Sequence, residues 1–320
     1  MHPEAPCAVR PATSGDASLI CALLNEIDTI ETGRPETDLH SVEADLRHPE
    51  VDLALDSWLA FDGDRLVAYA LVWDESQGER VDADHYVLPG HEAAGERLLA
   101  LAEARAADRA RANGASRAVV HLHLNAEPTT DLDMMARRGW RRVRRYHVMT
   151  RPLPASGPGL EASEPPAGLE LRDCRDEPDR RRAHALIQET FAEHFDHQPR
   201  TYEQWLDDIG GGDRVDWSLV WIASVGAEDA AVLFSRDDRR SMAWIGNIGV
   251  RRSFRGRGVA GYLLRHAFAV YAGRGRDTIG LGVDTQNETG ALRLYQAHGM
   301  DTHYAVDTWE VVLPAGVAVG

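Results

Sequence analysis

Residues 244–264 read Trp-Ile-Gly-Asn-Ile-Gly-Val-Arg-Arg-Ser-Phe-Arg-Gly-Arg-Gly-Val-Ala-Gly-Tyr-Leu-Leu. The apolar, glycine-broken run up to Val250 predicts a strand, and the amphipathic run 256–271 predicts a helix. Four of the seven residues 251–257 are arginine. Strand, glycine turn and helix start together make a phosphate-holding device. The first N–H groups of a helix lack intrahelical acceptors, the dipole there is positive, and arginine forks suit phosphate oxygens. Gly256 and Gly258 let the backbone approach a ligand without an intervening Cβ. A P-loop would need a lysine, and the chain has none. Gly256-x-Gly258-x-x-Gly261 also fits a dinucleotide fingerprint letter for letter, but no acidic ribose ligand follows at the spacing that a nicotinamide site needs. The bland alternative, a solvated arginine turn between strand and helix, is disfavoured by the residues downstream.

Outward from this stretch, composition sets the limits. The 320 residues are enough for two domains. The net charge is −16, with 17 Arg against 26 Asp and Glu in residues 1–153, so neither half is basic and nucleic-acid binding is not expected. Without lysine there is no Schiff base and no pyridoxal chemistry. Cys7, Cys21 and Cys174 are odd in number and far apart, which points away from a disulfide framework or a zinc site. No signal-like segment or apolar run of 18 residues occurs, so a cytoplasmic protein with no membrane partner is expected.

The chain repeats itself. Val9-Arg10-Pro11 is echoed by Leu171-Arg172-Asp173, and Asn125 by Asn287, each 162 residues on; Gly139-Trp140 is echoed 160 residues on by Gly299-Met300. One period means two copies of one domain. The expected division is 1–153, a Pro/Gly/Ser-rich linker 154–168, and 169–320. Each copy reads as helices, three strands, the main helix, a strand, a short helix and a closing strand. The closing strands are expected near 140–150 and 303–313, each in its own copy. This order is not the strict β-α-β alternation of a dinucleotide fold.

Val250-Arg-Arg-Ser-Phe-Arg-Gly-Arg-Gly-Val-Ala260 and Leu281-Gly-Val-Asp-Thr-Gln-Asn287, followed by Ala291-Leu-Arg-Leu-Tyr295, resemble the GNAT acyltransferases. The resemblance implies an α/β (α+β) chain of two tandem GNAT folds, each a twisted mixed sheet flanked by helices. It implies acetyl-CoA as acyl donor. The pyrophosphate would be held by Arg255, Gly256, Arg257, Gly258, Val259 and Ala260, and the pantetheine arm paired by Ile248, Gly249 and Val250. Asn287 would touch the arm, Tyr295 would act as general acid, and the Val250 N–H is the candidate oxyanion donor. For Tyr295 the competing role is a core aromatic, and for Asn287 a helix cap. The strand before the turn holds no carboxylate, which leaves the general base open between Asp284, His194, His197 and an ordered water. His194 and His197 at i and i+3 have no evident third metal ligand. Two copies in this length are similar to the architecture of mycothiol synthase, whose strand glutamate would fall at Trp244.

Copy one is expected to lack catalysis. Glu92-Ala-Ala-Gly95-Glu-Arg97 stands where the phosphate turn is sought, and Met135 where copy two has Tyr295. The arginines at 137, 138, 141, 142, 144 and 145 are expected to form a solvated, ion-paired face. The reading is an acetyltransferase acting on a small-molecule primary amine, as monomer or homodimer. The competing reading is a non-catalytic acyl-CoA-binding module.

Overall fold

The structure is a computed structural model that describes residues 7–74, 76–153, 164–209, 215–237, 242–287 and 289–316. In chain order the elements are β1 (Ala8–Arg10), α1 (Ala17–Thr32), α2 (Leu39–Asp45), α3 (Leu53–Asp56), β2 (Ser57–Asp62), β3 (Arg65–Trp73), β4 (Arg80–Val87), α4 (Glu92–Ala112), β5 (Arg117–Asn125), α5 (Leu132–Arg137) and β6 (Arg141–Pro152). The order then repeats with β7 (Leu169–Asp173), α6 (Glu177–Phe191), α7 (Tyr202–Asp208), β8 (Val220–Val225), β9 (Glu228–Arg236), β10 (Ala243–Val250), α8 (Val259–Gly273), β11 (Thr278–Asp284), α9 (Ala291–Ala297) and β12 (Asp301–Pro314). Most of the linker expected at 154–168 lies outside the described residues.

Local chemistry explains the main elements. In α1, Ile20, Leu23, Leu24 and Ile27 recur at helical spacing and are buried, and Gly33 at φ 88° ends the helix. The Thr201–Gln204 capping box starts α7. In α8, Leu263, Leu264, Ala267, Phe268 and Tyr271 are fully buried. Burying each large apolar side chain of that stripe stabilises by roughly 1.5–3 kcal/mol, which fixes α8 on its sheet. The helix starts at Val259 rather than at 256, because Gly256 and Gly258 take φ of 74° and 78° and cannot continue a right-handed helix.

Two compact units result, one of Met1–Tyr146 with Tyr304–Gly320, the other of His147–His303. Unit 1 has the strand order β1-β2-β3-β4-β5-β12, and unit 2 the order β6-β11-β10-β9-β8-β7. The parallel pairs β4–β5 and β10–β11 are joined by α4 and α8.

The closing strands are not arranged as the sequence reading had them. Residues Val306 to Pro314 of β12 pair with Asn125 to Arg117 of β5, inside unit 1, and β6 neighbours β11 in unit 2. Side-chain complementarity accounts for the β12 placement. Val311 packs in a core with Val120, Leu122, Met135 and Trp140. On the polar side, Arg145 bonds Asp307 at 2.6 and 2.7 Å and Arg141 bonds Glu310 at 2.6 Å. The arginine run of copy one is thus partly consumed by carboxylates from the C-terminal strand.

Candidate active site

The site in unit 2 begins with a strand that leaves its neighbour. β10 pairs with β11 in parallel register only over Ala243–Ile279, Trp244–Gly280 and Ile245–Leu281. A bulge then falls between Ile245 and Asn247, with Gly246 the extra residue. Beyond it, Asn247 to Val250 stay paired with β9. The Arg251 N–H donates to Ala230 O at 2.9 Å. By the alternation of an antiparallel ladder, the N–H groups of Ile248 and Val250 therefore face away from β9, into the gap that opens between β10 and β11. The Val250 carbonyl accepts from Arg255 Nε at 3.0 Å, which holds the turn against the strand end.

Gly249 is required by packing. A Cβ there would lie 2.0 Å from Thr190 Oγ1, because α6 crosses the strand at this point. Thr190 was not identified from the sequence; the only signal was a glycine inside a strand, which marks close approach.

Past Val250, the turn offers bare backbone. A Cβ at Gly256 or Gly258 would meet nothing within 4 Å, so these glycines serve the left-handed conformation and leave open space above the turn. Gly258 is the N-cap of α8, with no side-chain cap and no acidic residue in the first turn. The Val259, Ala260 and Gly261 N–H groups thus begin a helix whose positive end has no carboxylate in its first turn and no side-chain cap among the described residues. Of the four arginines, two are committed elsewhere: Arg251 pairs with Glu189 and Arg252 with Glu193, both from the α6 side. Arg255 and Arg257 are exposed and have no carboxylate partner among the described residues; the Arg257 guanidinium lies 5.3 Å from the Phe254 ring centre. Gly261, the third glycine of the fingerprint, serves packing: a Cβ there would lie 2.9 Å from His298 Nε2.

Tyr295 on α9 is 6 % exposed, in the core that also holds Leu281, Val283 and Leu263. Its hydroxyl makes no hydrogen bond among the described residues. Burial raises the phenol above its ordinary range, so it stays protonated. Asn287 is not the helix cap, a place taken by Gly290. Its Oδ1 accepts from the Thr289 N–H at 2.7 Å and from the Thr289 hydroxyl at 2.5 Å. Asp284 ends β11 and accepts from the Gln286 N–H at 2.9 Å. His194 packs on Phe191 at 4.3 Å between ring centres, in the turn after α6.

The corresponding place in unit 1 is built differently from the sequence expectation. Glu92 to Arg97 lie inside α4, and the strand-to-helix link is only residues 88–91. Gly95 is a buried helical residue whose Cβ would lie 3.1 Å from Val87, so it serves packing and not a ligand turn. Counting β4 back from its end, as for β10, sets Tyr86 against Gly249 and His85 against Ile248. The His85 ring bonds Gly95 O at 2.9 Å and Thr130 Oγ1 at 3.2 Å. The Glu31 carboxylate takes the Asn125 amide and the Thr129 N–H, each at 2.6 Å. Glu92 accepts from the Gly90 N–H at 2.9 Å and, with its own N–H, closes the mouth of α4; these backbone bonds lower its carboxyl pKa.

Residues 180–300 match the acetyltransferase (GNAT) family, and the chain carries a GNAT acetyltransferase domain. The whole chain is similar to a GCN5-related N-acetyltransferase from Sphaerobacter thermophilus, at 27 % identity and TM-score 0.82 over 97 % of each chain. It shares its fold with a tandem GNAT protein of the clavulanic acid biosynthesis pathway, at 16 % identity and TM-score 0.70 over 98 % of this chain and 99 % of that one. The same fold recurs in the glucosamine N-acetyltransferase region of a fungal multi-domain β-N-acetylglucosaminidase, at 15 % identity and TM-score 0.67, covering 97 % of this chain and 38 % of that one. No curated protein matches the chain. Among the described residues, no helix is long and apolar enough to cross a membrane.

Proposed function

We propose that unit 2 transfers the acetyl group of acetyl-CoA to a primary amine of a small molecule, with both substrates bound together. The observation that carries this reading is the opening between β10 and β11. There the backbone of Ile248 and Val250 faces outward, next to the uncapped start of α8. An extended amide chain pairs naturally with such a strand end, and a diphosphate with such a helix mouth. Gly249 belongs to the same strand end. Arg255, Gly256, Arg257, Gly258, Val259 and Ala260 hold the diphosphate, and the Asn287 amide contacts the arm.

In the transfer, the amine nitrogen attacks the thioester carbonyl carbon and the C–S bond breaks. The Val250 N–H donates to the oxyanion of the tetrahedral intermediate. Asp284, the carboxylate at the splayed end of β11, takes the amine proton. Tyr295 gives its proton to the departing thiolate, whose thiol pKa is roughly 8.5 in the free state. Holding both reactants in line supplies much of the acceleration.

The lack of a carboxylate anywhere on β10 favours a second reading, a non-catalytic acyl-CoA-binding module. Thiol release from acetyl-CoA over a panel of primary amines separates the two. Saturable release with at least one amine is expected. Binding of acetyl-CoA without release across the panel would leave the second reading, and failure to bind at millimolar concentration would remove both.

A further inference from the structure

Unit 1 contains polar groups with no hydrogen-bond or ion-pair partner among the described residues. The β3–β4 register sets Tyr69 opposite Tyr86 and Leu71 opposite Asp84, so Tyr69, Tyr86 and Asp84 share one face of the sheet. The two tyrosine rings are parallel to within 6°, with centres 6.3 Å apart. α1 and α2 pack together, and α1 packs on β3 and β4. Asp28 from α1 and Asp45 from α2 both lie within electrostatic reach of Tyr86, and Asp45 also of Tyr69 and Asp84.

Asp28 is tied down by the Thr37 hydroxyl at 2.8 Å and the Glu36 N–H at 3.1 Å. Asp82, the next carboxylate on this face of β4, is paired with Arg80. The carboxylates of Asp45 and Asp84 and the hydroxyls of Tyr69 and Tyr86 have no hydrogen bond or ion pair among the described residues. Tyr69 is only 3 % exposed, with its hydroxyl near Asp84 and Asp45. Asp45 is exposed and Asp84 and Tyr86 are half-buried, so the cluster reaches the surface of the unit.

A half-buried carboxylate beside other carboxylates is held neutral unless a cation compensates its charge. Burial, with the Asp45 and Asp82 charges, pushes the Asp84 carboxyl up to about 8. A metal ion does not fit: among the described residues, no three His, Cys, Asp or Glu side chains are placed to hold one. The acidic groups are spread along a sheet face beside two parallel aromatic rings, an arrangement that suits a larger cation with an apolar stem.

We propose that this face of unit 1 binds an organic ammonium ion, with Asp45, and Asp84 once the bound cation displaces its proton to solvent, as counter-ions, and with Tyr69 and Tyr86 as hydrogen-bond acceptors and aromatic neighbours. The proposal does not depend on acetyl transfer in unit 2. Calorimetric titration of the full chain with n-butylammonium and with spermidine, without acetyl-CoA, tests it. Saturable binding of at least one is expected, weakened about tenfold or more by Asp84→Asn and about threefold by Tyr69→Phe, in line with the loss of a charged and a neutral contact. Should Asp84→Asn fail to fold, Tyr69→Phe, which removes one oxygen, decides alone. No saturable binding of either ammonium at millimolar levels, wild-type affinity in Tyr69→Phe, or displacement of the ammonium by millimolar magnesium would overturn it.

Discussion

In unit 2, the last strand before the main helix bulges at Gly246 and a turn of residues 251–258 leads to a helix mouth with no side-chain cap among the described residues. In unit 1, the same strand shows no register shift, the link shrinks to residues 88–91, and the helix mouth is closed by Glu92. Where unit 2 presents backbone at Ile248 and Asn287 an amide, unit 1 has the His85 ring and an Asn125 amide held by Glu31. The two units share an element order and differ in what fills one opening. The difference teaches that this fold is a scaffold, and that a ligand site on it is made by leaving backbone groups unsatisfied. In unit 1, carboxylates engage groups of this kind: Glu92 takes the Gly90 N–H and Glu31 the Asn125 amide.

Four changes would break or sharpen that contrast. The largest effect is expected from Tyr295→Phe, which should lower kcat by roughly 10²–10⁴ in steady-state thiol release, as loss of a general acid does. Met135→Leu, at the equivalent place in unit 1, should leave kcat unchanged. Next, Arg257→Glu places a carboxylate before α8 as Glu92 does for α4. It should raise KM for acetyl-CoA about tenfold at low salt and less at high salt, since the site is exposed. Unchanged KM at low salt would remove the helix mouth from donor binding.

The third concerns pH. The Asp84 carboxyl sits at about 8 in the folded chain, against roughly 3.9 when unfolded. The native state then binds a proton that the unfolded state has lost, so Asp84 favours folding at low pH and this stability is lost as pH rises through 8. The melting temperature should fall between pH 5.5 and 8.5, and fall less in Asp84→Asn. Equal slopes in a differential scan would mean that Asp84 is ionised in the fold. The smallest effect is expected from Glu92→Gln, which removes an exposed charge from the start of α4. It should cost a few tenths to about 1 kcal/mol in urea titration, without giving unit 1 any acetyl-CoA binding, because Glu31 and His85 remain.

Legibility followed the range of the interactions. The body of α8 and the Thr201–Gln204 box depend on neighbours a few residues apart, and they stand where periodicity and turn chemistry put them, α8 losing only its expected start to the two left-handed glycines. The order of elements and the glycines of the turn were legible for the same reason. Contacts between distant segments were not. Arg251 and Arg252 look like phosphate ligands in a row, yet Glu189 and Glu193 sit beside them in space. Glu31 lies 94 residues from the Asn125 it engages, and nothing in either local sequence announces the pair. Gly95 matched Gly258 by spacing, but a shorter link moved it into the helix.

By itself, the sequence determined the doubled element order and the strand–turn–helix around 244–264, because propensity, periodicity and glycine stereochemistry act over a few residues. Only the tertiary structure decided that β12 closes unit 1, that α6 forbids a side chain at Gly249, and that Glu31 engages Asn125 while Arg251 and Arg252 are engaged by Glu189 and Glu193. Those outcomes depend on which side chains meet across the fold, and that pairing is fixed by packing and charge between segments the chain keeps far apart.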